Sequence, residues 1–559
     1  MQQARADLAA PDFGPNVLVF DPAMPGRDIQ EMCDRVFAEQ ERAEFGRNRC
    51  ALLFKPGVYD ARIRIGFYTQ AAGLGESPDQ VRITGGGINC DADWMNGLAL
   101  INFWRSAEGI ATEPVPGEAA KWTVSQAAPY RRMHVLGDLE LFDHAEKNYA
   151  SGGFMADTAV DGSVNSGPQQ QFYLRNSQWS EWHSSQWNNV FQGCVNPPES
   201  AGWPSPPNTV LSRVPVVREK PYLYIASDGR YYVKVPQLRA AAAGITWSGG
   251  ATEGKSLELG HFYIAKAGQD TAKTLNRELA AGRHLLLTPG IYGLEEPVRV
   301  EHANTVVLGL GLATLVPEHG ATAMQIADVD GVIIAGLLFD AGTEGSGSLL
   351  EVGPPGCTGR HSANPASLHD LFFRVGGAGG GRAEVCLTIN SSDVIGDHFW
   401  LWRADHGEGV GWERNTSDNG IIINGDHVTI YGLFVEHFQK YQTVWNGDYG
   451  RLFFYQSEIP YDVPDQASWM NGGVNGFASY KVSDTVTRHE AHGLGIYSFF
   501  NAGPHIRLHS AIEAPASPEV RFTHMVDVFL NGNGEITRMV NGLGATACEG
   551  SRVHYLAEA

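Results

Sequence analysis

Residues 52–59 read LLFKPGVY, and residues 285–292 read LLLTPGIY. Pro56 and Pro289 lie 289 − 56 = 233 positions apart. In both copies an apolar run ends at a Pro-Gly turn, because proline cannot donate to a strand ladder and glycine takes turn conformations freely. An amphipathic segment precedes each copy. Before the first, Ile29, Cys33, Val36 and Phe37 fall on one helical face, and Asp28 and Glu31 stand at capping-box spacing. Before the second, Leu275 and Leu279 lie one turn apart. Downstream, Gly73-Leu74-Gly75 is answered by Gly309-Leu310-Gly311. Helix, strand, Pro-Gly turn and next strand therefore occur twice in one order, the mark of a duplicated unit.

Short apolar runs follow each copy, separated by Gly, Asn and Asp: TVVLGLGLATLVP, VDGVIIAGLLFDAG, SDVIGDHFWLWRAD, DHVTIYGLFVEH and YGRLFFYQSEIPYD. Their spacing of about 20 to 30 residues is a solenoid period. No long helical pattern separates them, which disfavours a βαβ fold. The expected class is all-β, with strands stacked into a parallel β-helix and each amphipathic helix capping an open end. Residues 196–208, NPPESAGWPSPPN, carry five prolines and read as a stiff connection. Residues 222–235 form a hairpin around Asp228-Gly229. The expected domains are 1–208, a connecting segment 209–260 and a second solenoid 261–559.

Composition agrees. A chain of 559 residues with 43% hydrophobic content can bury large cores, and 66 glycines supply many turns. Length alone suggests about three to four domains; the duplication reduces this to two and a connection. The net charge of −21 repels phosphate backbones and anionic membranes, serves solubility, and leaves a neutral sugar indifferent. Nucleic acid and membrane are excluded as partners. No run approaches 18 apolar residues. The start, MQQARADLAAPDFG, has no cationic region followed by an apolar one, leaving a cytosolic protein or one whose signal peptide has been removed. The seven cysteines stand alone, outside CxxC or zinc spacing, and read as buried small hydrophobes, with one or two disulfides still open.

Glu436, in LFVEHFQKYQTVWNG, and Glu458, in RLFFYQSEIPYD, lie 458 − 436 = 22 residues apart, one solenoid rung. Strands of successive rungs are about 4.8 Å apart. Two carboxyls so placed cannot both ionise freely, so one stays protonated as a general acid of the kind glycosidic cleavage needs. The plainer alternative is two solvated glutamates on a coil face. Around them stand Trp402, Asp405, His406, Trp445, Tyr461 and Trp469, with Trp400 and Trp412. Aromatic faces stack on sugar rings, although core packing explains many such residues. In the first half, Gln169, Gln170 and Gln171, with Trp182, Trp187 and Asn188, offer amides to sugar hydroxyls or to an ordered water, or else form a structural ladder along a solenoid corner. His489-Glu490-Ala491-His492 is not HExxH and shows no third ligand. Asp393, Asp397 and Asp405 suggest calcium, but no calcium loop accompanies them and turn-forming roles are commoner. The glycine run 376–381 lacks a following Lys-Ser or Lys-Thr, so it reads as a turn. No metal or cofactor is expected.

The duplicated PGxY unit, QQQFYLRN, SQAAPYRRMH, REKPYLY, RADHGEGVGW, FVEHFQKYQ and FYQSEIPYD together resemble glycoside hydrolase family 55, in particular its bacterial exo-β-1,3-glucanases. The similarity runs from about Val17 to about residue 540. It implies two tandem right-handed parallel β-helices of pectate-lyase-like type in a rib-cage arrangement, with the substrate between them. It implies a hydrolase that releases glucose from the non-reducing end of laminarin with inversion; the expected enzyme is secreted and monomeric. Glu458 matches the family's general acid and Glu436 its carboxylate neighbour, and the Gln run matches a segment that helps hold the attacking water. One rung is shorter than the roughly 6.5–9.5 Å of an inverting acid–base pair. Glu436 is therefore expected to tune the acid or bind sugar, with the water held elsewhere. EWHSSQW departs from the Gly- and Asn-rich form associated with the family, which leaves subsite detail open. The two alternatives are a lyase acting on acidic polysaccharide, which the charge disfavours, and a non-catalytic glucan-binding solenoid.

Overall fold

A computed structural model describes residues 11–144 and 148–559; the signal-peptide question concerns residues 1–10, outside that range. The chain forms two parallel β-helices. In the first, a nine-stranded parallel sheet runs from Val17–Phe20 to Asn208–Leu211, and five- and four-stranded sheets make the other walls. In the second, a twelve-stranded sheet starts at Phe262–Ala265 and ends at Val553–Glu558, facing an eight-stranded sheet. Between them, Tyr222–Ile225, Tyr231–Pro236 and Gly254–Glu258 form a small antiparallel sheet. No described helix is long and apolar enough to cross a membrane.

Helix α1 (Gly26–Gln40) buries Ile29, Cys33 and Phe37 on the first core, and α2 (Ala272–Ala280) buries Leu275 and Leu279 on the second. The helix starts differ. In α2 the side chain of Thr271 accepts from the Thr274 N–H. In α1 the cap is Pro25, without a side-chain bond, so Asp28 and Glu31 lie inside the helix rather than in a capping box. Glu31 instead pairs with Arg27 one turn back, at 2.7 Å. The tyrosine of each PGxY copy explains the duplication. Tyr59 donates toward Phe20 O and Lys55 O, and Tyr292 toward Ala265 O and Thr288 O. Each ties the turn to the strand one rung below.

In the large sheet of the second β-helix, strands Ile333–Asp340, Ser367–Val375, Ile395–Arg403, Thr429–Glu436, Gly450–Glu458 and His489–Phe500 stack in parallel. Each ladder skips one residue at the same height: Gly336, Asp370, His398, Gly432, Phe454 and Gly493, all with φ between 49° and 73°. Each left-handed residue makes a bulge-like kink, matched rung to rung so that the register does not shift, and resets the alternation of side chains. In Ile395–Arg403, Asp397 and His398 both point away from the core, Phe399 and Leu401 point into it, and Trp400 and Trp402 point out. The outward side chains meet the first β-helix, where Phe103, Trp104, Phe154 and Tyr173 pack on Phe372, Trp400, Trp402, Phe434 and Phe454.

Buried charges lock this interface. Arg131 bonds Asp370 and Asp397, each at 2.8 Å. Arg175 bonds Asp397 at 2.8 Å and Glu219 of the connecting segment at 2.6 Å. Lys220 bridges Glu108 and Asp370 at 2.9 and 3.2 Å. Asp397 is thus an interdomain counter-ion in a strand, neither a turn residue nor a calcium ligand. Asp393 does sit in a turn, with φ 63°, and accepts from Arg360 and His361 N–H. All seven cysteines are free; Cys33, Cys90 and Cys386 are buried, and the other four are half-buried.

Candidate active site

A cavity of about 440 Å³ opens between the two β-helices. Phe103, Gln126, Ser151 and Gln170 face it from the first; Trp400, Trp402, Asp405, His406, Glu436, His437, Glu458 and Tyr461 face it from the second. Two larger concavities, about 530 and 480 Å³, lack a carboxyl pair. Strand register puts Glu436 directly beside Glu458 on neighbouring rungs. The same column runs from Asp340 and Arg374 through Trp402 to the two glutamates and on to Tyr497. The bulge at Gly432 and Phe454 turns both glutamates outward, since the inward positions are Leu433, Val435 and Tyr455.

The two carboxyls differ in their partners. Glu436 is 2% exposed. Its Oε1 accepts from Gln126 Nε2 and its Oε2 from Trp400 Nε1, both at 2.8 Å. Burial, and then the neighbouring Glu458 charge, push its pKa up. Glu458 accepts from Gln456 Nε2 at 3.2 Å, contacts the Tyr461 hydroxyl, and has His437 Nε2 at 3.6 Å. Burial raises its pKa as well, against the pull of His437. Such a pair releases its protons in two steps that belong to both groups. His437 takes the left-handed region, φ 67°, at the residue after Glu436.

A second charged set closes the cavity. His406 Nε2 lies 2.6 Å from Glu44 of the first β-helix, and its Nδ1 lies 2.8 Å from Asp405. Burial opposes charge on both His406 and Asp405, but the hydrogen bonds outweigh it. His406 rises to about 10 and Asp405 falls to about 2. His406 is therefore an imidazolium donating to two carboxylates at neutral pH.

Of the residues singled out in the sequence, Glu436, Glu458, Gln170, Trp400, Trp402, Asp405, His406 and Tyr461 meet at this cavity. The others do not line it. Trp445 and Trp469 are fully buried in the second core, and Trp182 packs in the first against Trp179 and Phe191. Gln169 spends its amide on Gly152 N, Val124 O and Leu141 O. Gln171 is fully buried, beside Gly152 and away from the cavity lining. Asn188 reaches across the interface to Gly493 O at 3.0 Å. Trp187 packs on Tyr497, one rung beyond the acid pair. Sequence reasoning missed Gln126, Ser151, His437 and Glu44. Gln126 falls in SQAAPYRRMH and His437 follows Glu436 directly, so adjacency to marked stretches was their signal. Glu44 had none, being 362 residues from His406.

His489 is buried against Tyr480, and His492 stacks on Phe453. Among the described residues, Asp93, Asp143 and His144 are the group whose ligand atoms converge within 4.8 Å. Lys121 already occupies Asp143, and His144 lies 2.7 Å from Asp93.

Residues 262–458 match a family model described as the LAM55 pectate lyase-like domain, ending at Glu458. Over 534 residues the chain is 50% identical to an exo-β-1,3-glucanase of Streptomyces sp. (strain SirexAA-E / ActE), covering 95% of this chain and 87% of that protein. The structure of sacteLam55A from Streptomyces sp. SirexAA-E superposes with a TM-score of 0.95 at 48% identity, covering 98% of this chain and 99% of that one. A variant of the same enzyme in complex with glucose gives the same score and identity, covering 98% of both chains.

Proposed function

Since this chain belongs to the LAM55 family of exo-β-1,3-glucanases, we propose that it is a glycoside hydrolase releasing glucose from the non-reducing end of β-1,3-glucan, with inversion and with Glu458 as general acid. The supporting observation is the asymmetry between the two carboxyls. Trp400 Nε1–H can only donate, and Gln126 Nε2 donates to Glu436 as well. These two donors hold Glu436 as the anion against the burial and neighbouring charge that push its pKa well up. The Tyr461 hydroxyl beside Glu458 can accept as well as donate. The one proton that two buried neighbours share then belongs to Glu458, where it can pass to the glycosidic oxygen as the C1–O bond breaks.

Both glutamates stand on one wall, so they cannot flank the scissile bond. Glu436 has both oxygens bound and is not free to attack carbon as a nucleophile. The opposite wall belongs to the first β-helix, where Ser151 and Gln170 line the cavity beside Gln126. A water held there attacks C1 from the other face; it gives its proton to the unpaired Gln126 Oε1 as Gln126 Nε2 passes one to Glu436 Oε1, which leaves Glu436 protonated and the amide as its imidic tautomer. The charged Asp405–His406 pair bonds sugar hydroxyls, while Trp402 and Phe103 offer the ring apolar surface. The enzyme acts outside the cell, where the polymer is, as a monomer. Glucose release from laminarin tests the reading. Glu458→Gln is expected to lower kcat by about 10² to 10⁴, and full activity in that variant refutes the assignment.

A further inference from the structure

A concavity of about 530 Å³ lies where the connecting segment meets the opening rungs of the second β-helix. This is a size at which small molecules are held. Apolar side chains such as Val235, Val306 and Ile333 line part of it, and Arg218, Lys255 and His284 supply its cationic and N–H groups. No Asp or Glu lines it, in a chain of net charge −21.

Arg218 is 6% exposed. Its Nη1 donates to Pro365 O at 3.0 Å and Ser367 Oγ at 3.1 Å, and its Nη2 to Asn364 Oδ1 at 2.8 Å. All three acceptors are neutral. Arg131 and Arg175, buried more deeply still, each have two carboxylates. Arg218 has none within ion-pair range among the described residues, and burial alone bears on its charge. A buried guanidinium without a counter-ion is a costly arrangement that an anion in the adjoining cavity relieves. His284 Nδ1 accepts from Val306 N at 3.2 Å, so the neutral ring carries its proton on Nε2 as a further donor. Gln237, at the rim, is already bonded to Glu253.

We propose that this cavity is a binding site for a small oxyanion, a phosphate or carboxylate group carried on a compact body, with Arg218 as its counter-charge and Lys255 and His284 as further donors. Arg218 immediately precedes Glu219 and Lys220, which hold the interdomain charge network. Occupancy therefore fastens the connecting segment to the second β-helix and raises the unfolding temperature.

The test is thermal unfolding and calorimetry of the full chain with inorganic phosphate, glucuronate and glucose, each against sodium chloride at matched ionic strength. A saturable stabilisation by phosphate, by glucuronate or by both, and none by glucose, is expected; which anion acts separates the phosphate source from the carboxylate source. Lys255→Glu should weaken that binding about tenfold or more while glucose release from laminarin stays unchanged. His284→Phe should weaken it too, and these two variants suffice if Arg218→Gln does not fold. No anion effect beyond the salt control, an equal effect of glucose, or an effect that survives both Lys255→Glu and His284→Phe overturns the proposal.

Discussion

Replacing Glu436 by Gln should move the pH dependence of hydrolysis rather than merely weaken it. The amide keeps the shape and removes the charge. Glu436 and Glu458 are register partners on adjacent rungs, so their strands are about 4.8 Å apart. At an effective dielectric constant of about 20, two unit charges at that distance interact by about 3.5 kcal/mol. That corresponds to about 2.5 pH units. The acid must be protonated to work. A negative Glu436 opposes ionisation of Glu458, so its removal lets Glu458 lose its proton at lower pH. The alkaline limb of kcat/KM for glucose release should therefore fall by about 2 pH units, while the loss in maximal rate reports whatever Glu436 does for the water. Initial rates on laminarin from about pH 4 to pH 9 measure it. If turnover is too slow to trace, the carboxyl stretch of Glu458 in difference infrared spectra gives the same titration. An unmoved limb in a folded variant refutes the reasoning: Glu436 was then already neutral, and the shared proton was on the wrong carboxyl.

Other perturbations separate the lock, the latch and the core. Asp397→Ala removes the shared counter-ion of Arg131 and Arg175 and should cost about 3–5 kcal/mol, read as a lower urea midpoint at unchanged slope. Glu44→Gln takes one of two carboxylates from His406, so the His406 pKa should drop from about 10. KM for laminarin should rise several-fold with kcat largely kept, and Glu44→Asp should recover part of it. Trp445→Ala empties a fully buried core position and should cost about 3–5 kcal/mol, seen as a lower thermal midpoint, while kcat/KM at low temperature is unaffected.

The acid pair was legible because the count between Glu436 and Glu458 is one unbroken rung, and the stacked register makes that count a distance. The helices were legible from their periodicity, although the start of α1 was not, because Pro25 rather than a side-chain oxygen opens it. The facing of the strands was harder. IGDHFWLWR reads as a mixed pattern until His398 is known to occupy the left-handed region; the side-chain period of two then restarts at Phe399. Trp445 lies in sequence between the strands of Glu436 and Glu458 but belongs to the opposite, eight-stranded wall, whose strand Thr443–Trp445 turns the indole into the core. What crosses the interface left no local trace. Gln126 reaches Glu436 over 310 residues, a contact that only the docking of the two solenoids creates. The three adjacent glutamines divide among different environments because they straddle the start of strand Gln171–Arg175.

The repeated left-handed residue has a consequence for how such a site can change. A stack of rungs with one bulge at a fixed height offers outward positions on a lattice, and separations along it come only in whole steps. One step holds the two carboxyls at the spacing of a shared proton. Two steps, about 9.6 Å, would set them near the upper bound for a pair flanking a water. No intermediate value is available by side-chain drift alone. The identity of the bulge residue is free, as Gly336, Asp370, His398 and Phe454 show, but deleting it in one rung would turn the glutamate of that rung into the core. Substitutions can retune the chemistry of this wall; its geometry can be altered only by gaining or losing a complete coil.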